Sequence, residues 1–200
     1  MTEILRPIRP PHAHLILTGD KLREVDTVMP SCESPYRVYI YVSKSGGVLL
    51  RSESGFYKYL SGVPDGYQKV YKNRLNGLVV GHYTCNTVSK YVMEDGKYNI
   101  PDEEQLLSRV SYECLARYGA GKPLYFEHIS DLVIYDEPRR LSEFVNAKTL
   151  SYNEWLYGIY SGGKGSKGNY NSYLNVCSIK KAPQSFCYVR EREVLLRGRP

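Results

Sequence analysis

Apolar and polar positions alternate in short runs along this chain, and turn residues separate the runs. Arg37 to Val42 (RVYIYV) is the clearest: Val38, Ile40 and Val42 fall on one face of a strand, Tyr39 and Tyr41 on the other. Glu3 to Ile8 reads as a first strand. Pro10 and Pro11 then open a helix through His12–Leu17, with proline in the first turn, where no amide is needed. Gly19 stands where a helix-ending glycine belongs. Lys21 to Thr27 reads as a strand, residues 45–72 as a hairpin excursion, and Gly77 to Val88 (GLVVGHYTCNTV) as a central strand. Asp102 and Ser111 are placed to cap two helices, the second ending at Gly119. Leu124 to Tyr135 predicts a strand pair or one bent strand, broken by Pro138. Leu141 to Phe144 is one helical turn, and Gln184 to Arg190 is a last strand. Residues 146–173 contain SGGKGSKGNYNS, a loop with no core of its own. There is no internal repeat. Dispersed strands with two helical regions between them predict one mixed, barrel-like α+β domain.

Composition narrows the class. The 200 residues are 42% hydrophobic and 24% charged, ordinary for a globular chain able to bury a core without staples. Twenty tyrosines against four phenylalanines and one tryptophan point to half-wet sheet faces and to a binding surface. The net charge is +6, concentrated late: Lys180, Lys181, Arg190, Arg192, Arg197 and Arg199 face only Glu191 and Glu193. Such a basic tail over 190–200 suits a polyanionic partner. Five cysteines with no C-x-x-C argue against a disulfide framework and a structural zinc site, and fit a reducing cytoplasm. The first residues, MTEILRPIRPP, carry no signal-peptide apolar region, and no apolar run approaches the roughly 20 residues of a membrane span. The expectation is a cytoplasmic protein without a membrane segment. His12 and His14 lie on different faces of their helix, which rejects a metal site there. G-x-x-x-x-G-K-[ST] is absent, which rejects nucleoside-triphosphate hydrolysis.

Five stretches occur in one order: ILTGDKLREVD, PYRVYIYVSK, GLVVGHYTC, HISDLVIYDEPRRLSEF and APQSFCYV. Together they resemble the ASCH family, whose fold is a PUA-like β-barrel, and in particular its phage and prophage members. The resemblance covers about residues 3–145 and 178–190, so residues 146–175 read as an insertion in a single domain spanning 1–200. It implies a PUA-like mixed barrel with a few flanking helices and a cleft for RNA, a modified nucleoside or a nucleotide. Some ASCH proteins are amidohydrolases acting on N4-acetylcytidine, and some are ribonucleases. Lys21 matches the amidohydrolase lysine. Glu24 stands where that pattern has threonine, His82 occupies the later acidic position, and Asp26 replaces the basic residue ending G-x-K-x-x-E. Glu127 and Phe186 stand where phage relatives carry tryptophan.

These residues make the candidate site. Lys21 holds a phosphate or assists amide hydrolysis. Glu24 pairs with Lys21 or acts as a base, although residues three apart on a regular strand point to opposite faces, so a bend is required. His82 moves protons near neutral pH or is a satisfied strand histidine. Arg23 and Glu127 are further ligand contacts. Tyr39, Tyr41 and Tyr83 stack a base or simply pack the sheet. Gln184 and Ser185 read a base edge through hydrogen bonds, and Lys164 and Lys167 track a phosphate backbone. Lys21 is expected at the mouth of the cleft, contributing little to the core. No cofactor is called for. Three function classes follow: a binding module, a hydrolase acting on an acylated cytidine or on RNA, and a non-catalytic phage interaction or sequestering protein.

Overall fold

The computed structural model describes residues 1–64, 71–160 and 169–197. Strands β1 (Thr2–Ile8) and β3 (Tyr36–Val42) lie parallel, from Thr2 opposite Tyr36 to Ile8 opposite Val42. A parallel pair needs a crossover, here helix α1 (Pro10–Leu17) and strand β2 (Arg23–Asp26). Gly19 ends α1 with φ at 77°, a value that glycine adopts without strain. The amides of Asp20 and Lys21 both turn back onto the Leu15 carbonyl, at 2.9 and 3.0 Å, so the corner is fixed by backbone.

β3 alternates as predicted, but both of its faces are buried, where the sequence predicted a half-wet tyrosine face. Val38, Ile40 and Val42 join Ile4, Ile8 and the α1 residues Ala13, Ile16 and Leu17 in one core. Tyr39 and Tyr41 join Leu5, Val79, Phe144 and Val189 in the other. The long strands β6 (Leu78–Tyr91) and β9 (Leu124–Arg140) pair antiparallel, with three breaks in register. At one of these breaks Gly81 meets the Val133 carbonyl, so closely that a Cβ could not be accommodated without movement.

β9 is one strand that runs through Pro138, where the sequence predicted a break. Pro138 falls between the pairs Gly81–Ile134 and Val79–Arg139, a stretch of β9 outside the regular register, where a missing amide costs no ladder bond. With β10 (Phe144–Asn146) and β11 (Cys187–Glu191), the seven-stranded order is β10-β11-β1-β3-β6-β9-β2. The expected barrel is therefore open. Its end strands are only three and four residues long, and no ladder joins them. Side chains span the opening instead. Asp26 on β2 meets Arg6 on β1 at 3.2 Å and receives a 3.2 Å hydrogen bond from Ser185, just before β11.

Beside the sheet lie the hairpins β4–β5 (Val48–Arg51, Tyr57–Leu60) and β7–β8 (Met93–Glu94, Lys97–Tyr98). Helices α2 (Asp102–Ser108) and α3 (Tyr112–Gly119) close one end. Ser111 caps α3 as expected, whereas Asp102 lies inside the first turn of α2, after Pro101.

The 146–175 region differs from a coreless loop. Helices α4 (Tyr152–Tyr160) and α5 (Tyr170–Cys177) bury Trp155, Tyr170 and Leu174 against Val145 and Leu195. Aromatic residues on either side of the glycine-rich stretch supply that small core. The glycine-rich stretch with Lys164 and Lys167 lies outside the described residues. The basic end is not a free tail either: β11 continues into α6 (Arg192–Arg197), while Arg199 lies outside the described residues. No helix among the described residues is long and apolar enough to cross a membrane.

Candidate functional site

The opening between β1 and β2 leads into a cavity of about 520 Å³, within the range typical of small-molecule sites. Its wall is built from the end of β1, the start of α1, β2, the α2–α3 corner and the segment before β11. These elements supply Arg6, His12, Lys21, Glu24, Asp26, Tyr118, Gln184 and Ser185. The alternation of β2 turns Glu24 and Asp26 to the cavity. It turns Arg23 the other way, onto Glu104 at 3.1 Å, so Arg23 does not join the site.

Lys21 and Glu24 do converge. Lys21 Nζ lies 3.5 Å from Glu24 Oε2. The geometric difficulty of residues three apart disappears because β2 begins only at Arg23, leaving Lys21 in the turn. Lys21 is not a mouth residue, however. It is 1% exposed and donates a 2.6 Å hydrogen bond to the carbonyl of Ser108, the last residue of α2. A cation there caps a helix C-terminus. Two neighbouring bonds stitch the same corner: Leu22 N to the Leu107 carbonyl and Arg109 Nε to the Asp20 carbonyl.

Arg6 lines the cavity and Glu127 backs it. Arg6 Nη2 donates to Glu127 Oε1 at 2.7 Å, Tyr36 donates to the same oxygen at 2.7 Å, and Tyr83 donates to Oε2 at 2.7 Å. Burial pushes the Glu127 carboxyl up, and Arg6 with the two phenols pulls it back. Burial alone would lower the Arg6 guanidinium, but the carboxylates of Glu127 and Asp26 raise it above its ordinary value. Phe186 buttresses this arginine, its ring centre 5.9 Å from the guanidinium carbon. Glu127 is thus a support for Arg6, set behind the cavity wall.

Four buried polar atoms of the residues lining this wall have no hydrogen-bond partner: Arg6 Nη1 and Glu24 Oε2, which are held only by the ion pairs to Asp26 and Lys21, and Arg6 Nε and His12 Nδ1, which have no ion pair either. Arg6, His12 and Glu24 all line the one cavity. Burial lowers the His12 pKa, which keeps the ring neutral.

The remaining candidates separate. His82 projects from the opposite face of the sheet to Tyr83, its neighbour on β6. It lies 3.1 Å from the Tyr135 hydroxyl and packs edge-on to Tyr39, and burial lowers its pKa. It shares no space with Lys21 and Glu24. Tyr39 and Tyr83 are fully buried, leaving no ring face for an incoming base, and Tyr41 is 3% exposed and borders a separate hollow rather than this cavity. A central strand buries both of its faces, so alternation alone could not mark these tyrosines as solvent-facing.

The aromatic ring that is available is Tyr118 on α3. It is 52% exposed at the cavity rim, its hydroxyl donates to Asp26 Oδ1 at 3.2 Å, and burial together with Asp26 pushes its pKa up to about 12. Sequence reasoning missed Tyr118, Arg6 and His12 as site residues. Only Arg6 carried a signal: a charge between Ile4 and Ile8 on the core face of a strand.

Neither a protein-family model nor a curated protein matches the sequence. Solved structures do. The crystal structure of ASCH from Zymomonas mobilis is 12% identical, with a TM-score of 0.53, over 98% of this chain and 94% of that one. A single-residue variant of the same protein is 12% identical over 98% and 96% of the two chains, with a TM-score of 0.48. The chain is thus similar in fold to an ASCH protein over nearly its whole length.

Proposed function

We propose that the protein binds a nucleobase-bearing ligand, such as a modified nucleoside, in the cavity between β1 and β2. The polar side chains of Arg6, His12 and Glu24 around one cavity support this reading, above all Arg6 Nε and His12 Nδ1, which have neither hydrogen bond nor ion pair, because leaving a buried polar group unpaired costs about 1–3 kcal/mol. A base edge, which alternates donors and acceptors, satisfies such a wall. Gln184 and Ser185 add further polar groups, and the half-exposed Tyr118 offers a ring to stack on. Within the lining Arg6 and Lys21 are matched by Glu24 and Asp26, which leaves one cation, Arg9, in excess. Such near balance suits a neutral polar ligand better than a bare polyanion.

A hydrolase reading keeps one specific support, the 3.5 Å Lys21–Glu24 pair at the same wall. Binding ranks above it because the lysine ammonium is engaged by both Glu24 and the Ser108 carbonyl, an arrangement that fixes a cation rather than freeing a nucleophile. The test is a thermal-shift and calorimetric panel of ribonucleosides, including N4-acetylcytidine, with product analysis of every mixture. Saturable binding without turnover is the expected result. Deacetylation that disappears in Lys21→Ala would make the protein an amidohydrolase, and silence across the panel would remove the nucleoside reading.

A further inference from the structure

A second hollow, of about 500 Å³, adjoins the cavity. Pro7, Arg9 and Gln184 line both, so the two spaces meet at the end of β1. Their electrostatics differ. Two of the three cations of the cavity are held by carboxylates, Arg6 by Glu127 and Asp26, and Lys21 by Glu24, while the third, Arg9, is shared with the second hollow. The second hollow is lined by Arg9, Lys44, Lys180 and Lys181 and contains no carboxylate. All four are exposed, and no ion pair engages any of them among the described residues.

Like charges gathered from three chain segments repel one another, and the arrangement gains only when an anion enters. Residues of the end of β1, the turn after β3 and the approach to β11 are far apart in sequence, so the fold assembles this cluster. The late-chain basic pair Lys180–Lys181 takes its place here, beside the base-sized cavity.

We propose that this hollow is a phosphate subsite, and that the ligand of the adjoining cavity is a nucleoside carrying a phosphate, either a free nucleotide or a residue of an RNA strand. The proposal rests on the nucleoside reading of the cavity and adds the phosphate. Gln184, common to both spaces, stands where the sugar would cross from one to the other.

The test is calorimetry on the full chain with four ribonucleosides, their 5′- and 3′-monophosphates and a tetraribonucleotide, at low and at moderate salt. The same titrations are run on the double variant Lys180→Gln/Lys181→Gln. Both side chains are exposed, so the fold is not at risk. At low salt a monophosphate is expected to bind at least about tenfold tighter than its nucleoside. Salt should erode that advantage and leave nucleoside binding unchanged. The double variant should lose most of the phosphate advantage while binding the nucleoside normally. Tighter binding of the tetranucleotide than of any monophosphate assigns the phosphate to a strand, and equal or weaker binding assigns it to a free nucleotide. Equal affinity for nucleoside and monophosphate, or a double variant that keeps the full phosphate preference, overturns the phosphate subsite alone. Absence of binding by every nucleoside and nucleotide overturns the nucleoside reading and this inference with it.

Discussion

Arg6 and Glu127 face each other at 2.7 Å from β1 and β9, at 2% and 0% exposure, across 121 positions of sequence. The pair is doubly secured, since Tyr36 and Tyr83 occupy the carboxylate from the other side. Removing one member strands a buried charge. Glu127→Ala should therefore destabilise the protein by about 3–5 kcal/mol. An apolar double replacement, Arg6→Met with Glu127→Leu, should recover much of that stability and abolish ligand binding. Urea unfolding of the three proteins checks both statements. A nearly neutral Glu127→Ala would mean that Glu127 does not hold Arg6 in place behind the cavity.

Lys21 has a larger structural role than a cleft-mouth lysine. Lys21→Ala removes the cap on the Ser108 carbonyl as well as the partner of Glu24. We expect a stability loss of about 1–3 kcal/mol, together with weakened binding. The expectation from sequence was affinity loss with little effect on stability. Denaturant titration and calorimetry of the same variant separate the two, and an unfolding midpoint unchanged from wild type would restore the first view.

Tyr118 should behave in the opposite way. It is half-exposed, so Tyr118→Ala should change stability little, while loss of a stacked base should cost about 1–3 kcal/mol of binding. Tyr118→Phe keeps the ring and should retain most of the affinity. Equal loss in both variants would place the effect in the hydroxyl bond to Asp26 rather than in stacking.

Gly81 is set against β9 with no room for a side chain. Gly81→Ala must push β6 from the Val133 carbonyl or shift the register, which should cost about 1–3 kcal/mol. A melting temperature within a degree of wild type would show that the break in register absorbs a methyl group freely.

Acid should weaken the fold early. Burial lowers the pKa of His12, His82 and His128 below the ordinary histidine value of 6.5. Their unfolded counterparts therefore bind protons first as pH drops. The stability these neutral rings contribute is fully present above pH 6.5 and is lost as pH falls below it, through the lowered native values. Melting temperatures recorded from pH 7.5 down to pH 5 should decline across this window. His82→Asn should flatten part of the decline without altering ligand binding, since His82 lies on the other face of the sheet.

The sequence alone determined the local elements and the class of fold. Alternation marked both faces of β3, the prolines and Gly19 marked the two ends of α1, and Ser111 marked the start of α3, because each depends on neighbours within a turn or two. It also brought Lys21, Glu24, Gln184 and Ser185 forward as candidates, and these do line one cavity. What surrounds them was decided in three dimensions. Whether a tyrosine on a strand stacks a ligand or fills a core depends on what covers that face of the sheet, so Tyr39 and Tyr83 were indistinguishable in sequence from exposed rings. The half-exposed ring at the cavity is Tyr118 instead, from a helix more than ninety residues after Glu24. His82 was separated from Lys21 by side-chain parity on β6, which has meaning only once the strand is placed in the sheet. Short end strands left the barrel open, and that opening gathered Arg6, Asp26 and Ser185 into one wall. Contacts of such sequence separation are set by the packing of the whole sheet, to which no local pattern of residues answers.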